Sequence, residues 1–269
     1  MEEHVLGITK FVNLLLGKPV AALLAALHIQ PSNPEYPIPN HVVMELVVLL
    51  FAIVFFSWLK GKLSVDRPGG VQQCMELLIS NPMKLGVRDL LENGIPHGAE
   101  EYVPMLGSIG IFILIANLIS LVPIFESPTA QVSVPFGCAI VVFLYYNWCG
   151  IRKNGFGYGK HFLGPNLGLA PIMLPVEIFS NAARLLSLTV RLWVNMMVSE
   201  LLYGIFLGLL LELFLFLGKL NTIGYAAFIL PLFFPVIFIA LHIFVAILQA
   251  FVFTVLPAIY VAGAVSEGH

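Results

Sequence analysis

The sequence predicts an all-α integral membrane protein with about five membrane-embedded helices, the last two long and strongly tilted as a hairpin, plus interfacial amphipathic helices. Three observations carry this expectation. Of the 269 residues, 59% are hydrophobic and only 10% charged, with a mean hydropathy of +0.96, whereas a soluble domain carries about 25% charged residues. The apolar residues gather into runs that match or exceed the roughly 20 residues a helix needs to cross about 30 Å of hydrocarbon. Basic residues concentrate on one set of connections and avoid the other, the mark of an oriented multi-pass chain.

The elements follow in order. Residues 1–40 form an N-terminal segment in which "PVAALLAALHI" (19–29) suits a short interfacial helix, and the proline-rich "QPSNPEYPIPN" (30–40) disfavours helix and favours extended backbone. Residues 41–269 form a polytopic membrane domain whose first span is 41–59. Across 71–92, apolar residues such as Met75, Leu78 and Leu85 alternate at helical spacing with Gln72, Glu76 and Arg88, which predicts an interfacial helix interrupted at "SNP" (80–82). Spans follow at 103–123 and 132–150, then a glycine-rich basic loop at 152–166.

Two long apolar regions, 171–218 and 222–264, complete the chain. As single helices they would be roughly 72 Å and 65 Å long, about twice the hydrocarbon thickness. Gly204 and Gly208 have no Pro, Asn or Asp beside them to make a turn. Two oblique helices therefore fit better than four short spans, with bends expected at Pro231, Pro235 and Pro257.

Lys60, Lys62, Arg67, Lys84, Arg88, Arg152, Lys153 and Lys160 fall on one side of this arrangement. Lys10, Lys18 and Lys219 fall on the other. The positive-inside rule then places the N-terminus outside and the C-terminus in the cytoplasm after five crossings of the cell membrane. Cys74, Cys138 and Cys149 show neither CxxC spacing nor pairing with histidine, so inert thiols are expected, with no metal site and no disulfide. No internal repeat supports an inverted-repeat transporter. Neither a cofactor nor a nucleic-acid partner is expected.

Against this background "ARLLSLTVRLWVNMMVSE" (183–200) stands out. An arginine at a helix centre costs about 2.5–3.5 kcal/mol even on the mildest insertion scales, and unlike lysine it does not readily discharge. Arg184 and Arg191 are seven residues apart, hence within about 20° on a helix. Ser187, Asn195 and Glu177 fall within about 40° of Arg191, while Glu200 lies about 180° away. The helix thus carries a polar stripe on one side and a separate acid on the other, with Arg191 between two aqueous approaches. On the last helix His242 and Gln249 share a face, and Tyr260 lies about 20° from Gln249.

Glutamate and histidine exchange protons within reach of physiological pH once their surroundings shift them. Glu200 and His242 are therefore the expected proton carriers of one wet cavity, and Glu177, Ser180 and Ser187 line the other. The plain alternatives are snorkelling arginines, most applicable to Arg184, and a histidine that serves packing alone.

"RLWVNMMVSEL" (191–201) resembles the signature of subunit a of the F-type ATP synthase, in which an arginine is followed by an asparagine four on and an acid nine on. "LPVEIFS" (174–180), "LHIFVAILQAFVFTVL" (241–256) and "NLISLVP" (117–123) are similar to further segments of that family in the same order, so the resemblance covers roughly 40–265. It implies that Arg191 faces the carboxylates of a ring of c subunits. It also implies that Glu200, His242, Asn195 and Gln249 line a half-channel to the outside, that Glu177, Ser180 and Ser187 serve one to the cytoplasm, and that Arg184 supports them. The implied partners are the c-ring, the b subunits of the peripheral stalk, the rest of the synthase and the lipid bilayer. The implied function is proton translocation coupled to rotation and ATP synthesis, with no catalysis by this chain itself. Val194 departs from a glycine common in that signature.

Without the resemblance, the residues also suit a proton- or cation-coupled secondary transporter. An intramembrane hydrolase lacks support, because Glu177, Glu200 and His242 have no HExxH-like spacing.

Overall fold

A computed structural model describes residues 5–31, 33–79, 87–94, 98–122, 125–155, 170–218 and 233–266. The expected interruption at 80–82, most of the loop at 152–166, the connection between the last two helices and Pro231 lie outside these residues. The described elements are helical: α1 (Gly7–Ala26), α2 (Asn40–Lys60), α3 (Gly70–Ile79), α4 (Val87–Gly94), α5 (Val103–Leu118), α6 (Ser133–Asn154), α7 (Ala170–Gly218) and α8 (Phe233–Ser266). Short 3-10 turns occupy Ala99–Glu101, Ile119–Leu121 and Pro128–Ala130. The expected all-α membrane class is what the chain adopts.

Six of these helices are long and apolar enough to cross a membrane by length and composition. Five correspond to the sequence expectation, and the sixth is α1, which begins at Gly7, a dozen residues before the interfacial helix read at 19–29. Lys10, Asn13 and Lys18 interrupt the hydropathy there and conceal the helix. Asn13 is buried, and its amide donates to the carbonyls of Thr9 and Ile38 (both 2.9 Å) while its Oδ1 accepts the Ile38 N–H (3.0 Å). That pairing pins α1 to the proline-rich segment before α2.

Helix α7 is unbroken over 49 residues despite Pro175 near its start, a length of about 74 Å. It exceeds the hydrocarbon thickness more than twofold, so it lies obliquely or projects beyond it. Pro257 is accommodated inside α8. Many large apolar residues on α2 and α7 are exposed on the isolated chain, among them Leu50, Val54, Phe179 and Leu211. Such surfaces suit lipid, which solvates apolar side chains as well as a core does.

The chain divides into two compact units. The first comprises 1–52, 115–131 and 194–246; the second comprises 53–114, 132–193 and 247–269. In the first, Ile38, Val43, Met44, Ala116, Met196 and Ala246 are buried, and the rings of Phe206 on α7 and Phe238 on α8 stack at 3.9 Å. In the second, Leu106 of α5, Val142 and Tyr146 of α6, and Ala258, Val261 and Ala264 of α8 build one core with Leu91 of α4. The small residues let helices approach closely where hydrophobic burial no longer drives association.

At one edge of the second unit Arg88 donates to Glu92 (2.7 Å) and Glu100 (2.5 Å), and Arg152 to Glu101 (2.6 Å). The Glu92 hydrogen bond, aided by the charge of Glu100, holds the Arg88 guanidinium above its ordinary range. Cys149 is buried and Cys138 half-buried, and neither is in a disulfide.

Candidate functional site

Polar groups within these apolar helices gather at two places, one in each unit. In the first unit α5 ends at Leu118 and tightens into the turn Ile119–Leu121 ahead of Pro123, which disfavours further helix. The chain then doubles back through 125–131. Here Ser127 meets Glu200 of α7, and Asn117 and Ser120 meet His242 of α8, while Thr129 bonds Asn117 and Ser127.

His242 of α8 is 3% exposed. Its Nδ1 lies 2.7 Å from Ser199 Oγ of α7, and its Nε2 lies 3.0 Å from the Asn117 carbonyl oxygen and 3.1 Å from Ser120 Oγ. Ser120 Oγ donates to the same carbonyl at 3.1 Å. Thr129 Oγ1 donates to Asn117 Oδ1 at 2.6 Å and lies 2.7 Å from Ser127 Oγ, which donates to the Ala116 carbonyl at 2.9 Å. Buried polar groups that interlock in this way have little freedom to rearrange, because each unmade bond costs the full desolvation of its group.

Glu200 is half-buried, and its Oε1 accepts the Ser127 N–H at 3.0 Å. It forms part of the wall of an open cavity of about 430 Å³ together with Asn40, Glu126, Ser127, Gln131 and Met197. Asn40 Nδ2 donates to Glu126 Oε2 at 3.3 Å across that wall. Glu200 therefore borders water-accessible space, whereas His242 is not among the residues lining this cavity.

The second unit is built differently. Arg191 of α7 is exposed on the isolated chain, and among the described residues its guanidinium makes no hydrogen bond or ion pair. Its backbone is held instead: Gln249 of α8, only 1% exposed, donates Nε2 to the Arg191 carbonyl at 2.7 Å. Gln249 Oε1 is buried and unpaired among the described residues.

Nearly three turns before Arg191 on the helix, Asn181 is buried and accepts the Tyr146 hydroxyl at 2.6 Å. Asn181 Nδ2 donates to the Glu177 carbonyl at 3.0 Å and approaches Glu177 Oε1 at 3.4 Å. The Arg184 guanidinium carbon stands 5.3 Å from the Tyr260 ring centroid, a cation–π geometry that offsets part of the cost of a charge in an apolar setting.

The remaining expected residues fall as follows. Glu177 and Ser180 are half-buried and Ser187 is exposed, all in the second unit. Asn195 is half-buried in the first unit and makes no side-chain hydrogen bond among the described residues. His242 and Gln249, on one helical face by spacing, serve different units.

Sequence reasoning missed Ser199, Asn117, Ser120, Thr129, Tyr146 and Asn181. A signal existed for Asn181, which lies four residues after Glu177 and so on the same helical face. Ser199 had only its place beside Glu200, and the others depend on chain reversal that spacing does not encode.

Comparisons with known proteins identify the family of the chain. The family described as ATP synthase A chain matches residues 42–262. ATP synthase subunit a of Koribacter versatilis (strain Ellin345) is 40% identical over 267 residues, covering 99% of both chains. The subunit a of Solibacter usitatus (strain Ellin6076) is 42% identical over 87% of this chain and 90% of that relative. The one from Desulfosudis oleivorans (strain DSM 6200 / JCM 39069 / Hxd3) is 42% identical over 85% and 89%. The chain therefore belongs to the ATP synthase A chain family: multi-pass, proton-translocating subunits that are not catalytic themselves and work in the membrane with the c-ring, the b subunits and the rest of the F-type synthase.

Proposed function

We propose that Arg191 is the charge at which proton flow is coupled to rotation, that Glu200, His242, Asn195 and Gln249 serve one proton half-channel, and that Glu177, Ser180 and Ser187 serve another. The observation that carries this reading is a guanidinium with no partner among the described residues, on a helix whose backbone at that residue is anchored by buried Gln249. A permanent cation so placed attracts the carboxylate of a passing c subunit once that carboxylate has lost its proton.

In this mechanism a proton enters through the cavity bordered by Glu200, uses Glu200 and His242 as carriers with Asn195 and Gln249 assisting as hydrogen-bonding groups, and neutralises a c-subunit carboxylate. The neutral group then rotates through lipid, where a charged one would meet a large desolvation cost. It releases its proton into a second path lined by Glu177, Ser180 and Ser187, with Arg184 supporting. Arg191 keeps the two paths apart. Each proton contributes about 2.3 kcal/mol per 100 mV of membrane potential.

The basic residues Lys60, Lys62, Arg67, Arg88, Arg152 and Lys153 support an N-terminus outside and a C-terminus in the cytoplasm. That orientation has α2 and α5 to α8 as the five crossings and α1 as a helix that does not cross.

The test is proton-driven ATP synthesis by the assembled synthase in lipid vesicles. Arg191→Ala is expected to abolish it while the complex still assembles with its c-ring, and near-wild-type synthesis would overturn the reading. Arg191→Lys is expected to fail largely as well, because a desolvated lysine can discharge.

A further inference from the structure

Which ring nitrogen of His242 can accept a proton is decided by its neighbours. A carbonyl oxygen only accepts hydrogen bonds. Nε2 lies 3.0 Å from the Asn117 carbonyl, so it carries a hydrogen whether the ring is neutral or charged. Ser120 fits this state, since its hydroxyl donates to the same carbonyl and its oxygen can share the Nε2–H. Nδ1 is therefore the nitrogen that gains and loses a proton, and the side chain it meets is Ser199, at 2.7 Å.

The ring is 3% exposed, whereas Ser199 is only half-buried and directly precedes Glu200, whose carboxylate borders the open cavity. We propose that Ser199 is the positioning residue through which His242 exchanges its proton, a role that rests on the reading of His242 as a carrier.

The step balances with water as the only co-reactant. With His242 neutral, the Ser199 hydroxyl donates to Nδ1. A proton delivered by water binds Ser199 Oγ as the original hydroxyl proton passes to Nδ1. The O–H bond to the ring breaks, an N–H bond forms, and the hydroxyl keeps the arriving proton, now turned away from an imidazolium whose Nδ1–H it accepts. The return step reverses each bond. Serine suits this because its hydroxyl both donates and accepts and rotates freely. Asn117 and Ser120 prevent the ring from flipping to offer Nε2 instead.

The experiment is the rate of proton-driven ATP synthesis by the whole synthase in vesicles, for Ser199→Ala, Ser199→Thr, His242→Gln and the double variant Ser199→Ala/His242→Gln. Ser199→Ala is expected to slow synthesis roughly tenfold, a modest share of what a positioned proton-transfer group contributes, with c-ring association unchanged. Ser199→Thr, which keeps the hydroxyl, is expected to run close to wild type, and Ser199→Ala is expected to cost nothing further once His242 is glutamine.

Wild-type rates in Ser199→Ala, or an equal loss in the His242→Gln background, would overturn the proposal. A loss in His242→Gln with none in Ser199→Ala overturns it alone. Wild-type rates in His242→Gln overturn the carrier reading as well.

Discussion

In both units a buried asparagine takes a hydroxyl hydrogen on Oδ1 at 2.6 Å, from Thr129 to Asn117 in the first and from Tyr146 to Asn181 in the second. The rest of each asparagine is used differently. The Asn117 main-chain carbonyl accepts from Ser120 and from His242, so this residue closes a network around a titratable ring. The Asn181 amide turns back along its own helix to Glu177. The first unit thus holds ionisable groups in a tight lattice beside a cavity, and the second ties down backbone and leaves a charge exposed. A proton carrier needs fixed partners for each protonation state. A charge meant to attract a moving carboxylate needs a rigid base and an open face.

Exchanging the acids tests this difference most severely. Glu200→Gln preserves an acceptor for the Ser127 N–H but removes the group that can take a proton. Proton-driven ATP synthesis is expected to fall tenfold or more, within the range lost when a positioned acid–base group is removed. Glu177→Gln alters a side chain whose carboxylate meets Asn181 only at 3.4 Å, and a several-fold smaller loss is expected in the same assay. Equal losses would mean that both acids act as obligatory carriers and that the contrast between the units is false.

The legible part of this molecule was whatever a helical wheel encodes. The all-α class follows from composition and the lengths of the apolar runs, the unbroken length of α7 from the lack of turn residues within it, and the opposed faces of Arg191 and Glu200 from periodicity along one helix. What periodicity lacks is the partner. His242 and Gln249 are seven residues apart and read as one face, yet one meets Ser199 and Asn117 while the other grips the Arg191 carbonyl. Asn117 lies 125 residues from His242, a separation that no helical period spans. Helix α1 stayed hidden because Asn13 looks like a solvent residue until Ile38, 25 residues on, is seen to satisfy it.

The two hydroxyl–asparagine bonds provide a milder comparison. Thr129→Val and Tyr146→Phe each leave a buried Oδ1 without its donor, a cost of about 1–3 kcal/mol in either unit. Both are expected to lower the temperature at which the subunit dissociates from the detergent-solubilised complex. Only Thr129→Val is expected to reduce the rate per assembled complex as well, because Asn117 also orients His242. If Tyr146→Phe slows transport as much as Thr129→Val, Asn181 has a role in the proton path beyond packing.

The smallest expected effects separate the units by how closely their backbones pack. A Cβ at Gly110 of α5 would fall inside the contact distance of Thr254 Oγ1 on α8, with the Ala250 carbonyl 3.6 Å away. Thr254 cannot simply turn aside, since its hydroxyl donates back to Ala250 at 2.8 Å. Overpacking of this kind costs about 1–3 kcal/mol, which outweighs the gain of at most about 1 kcal/mol from replacing a helical glycine with alanine.

Gly17 of α1 offers the opposite case. A Cβ there would meet Asn13 and Pro37 at 3.5–3.6 Å, ordinary contact, so the helical gain is kept. Gly110→Ala is therefore expected to lower the thermal stability of the complex, Gly17→Ala to leave it unchanged or raise it slightly, and Gly110→Ala/Thr254→Ala to recover most of the loss. Failure of that recovery would locate the strain in the α5 backbone instead of at Thr254.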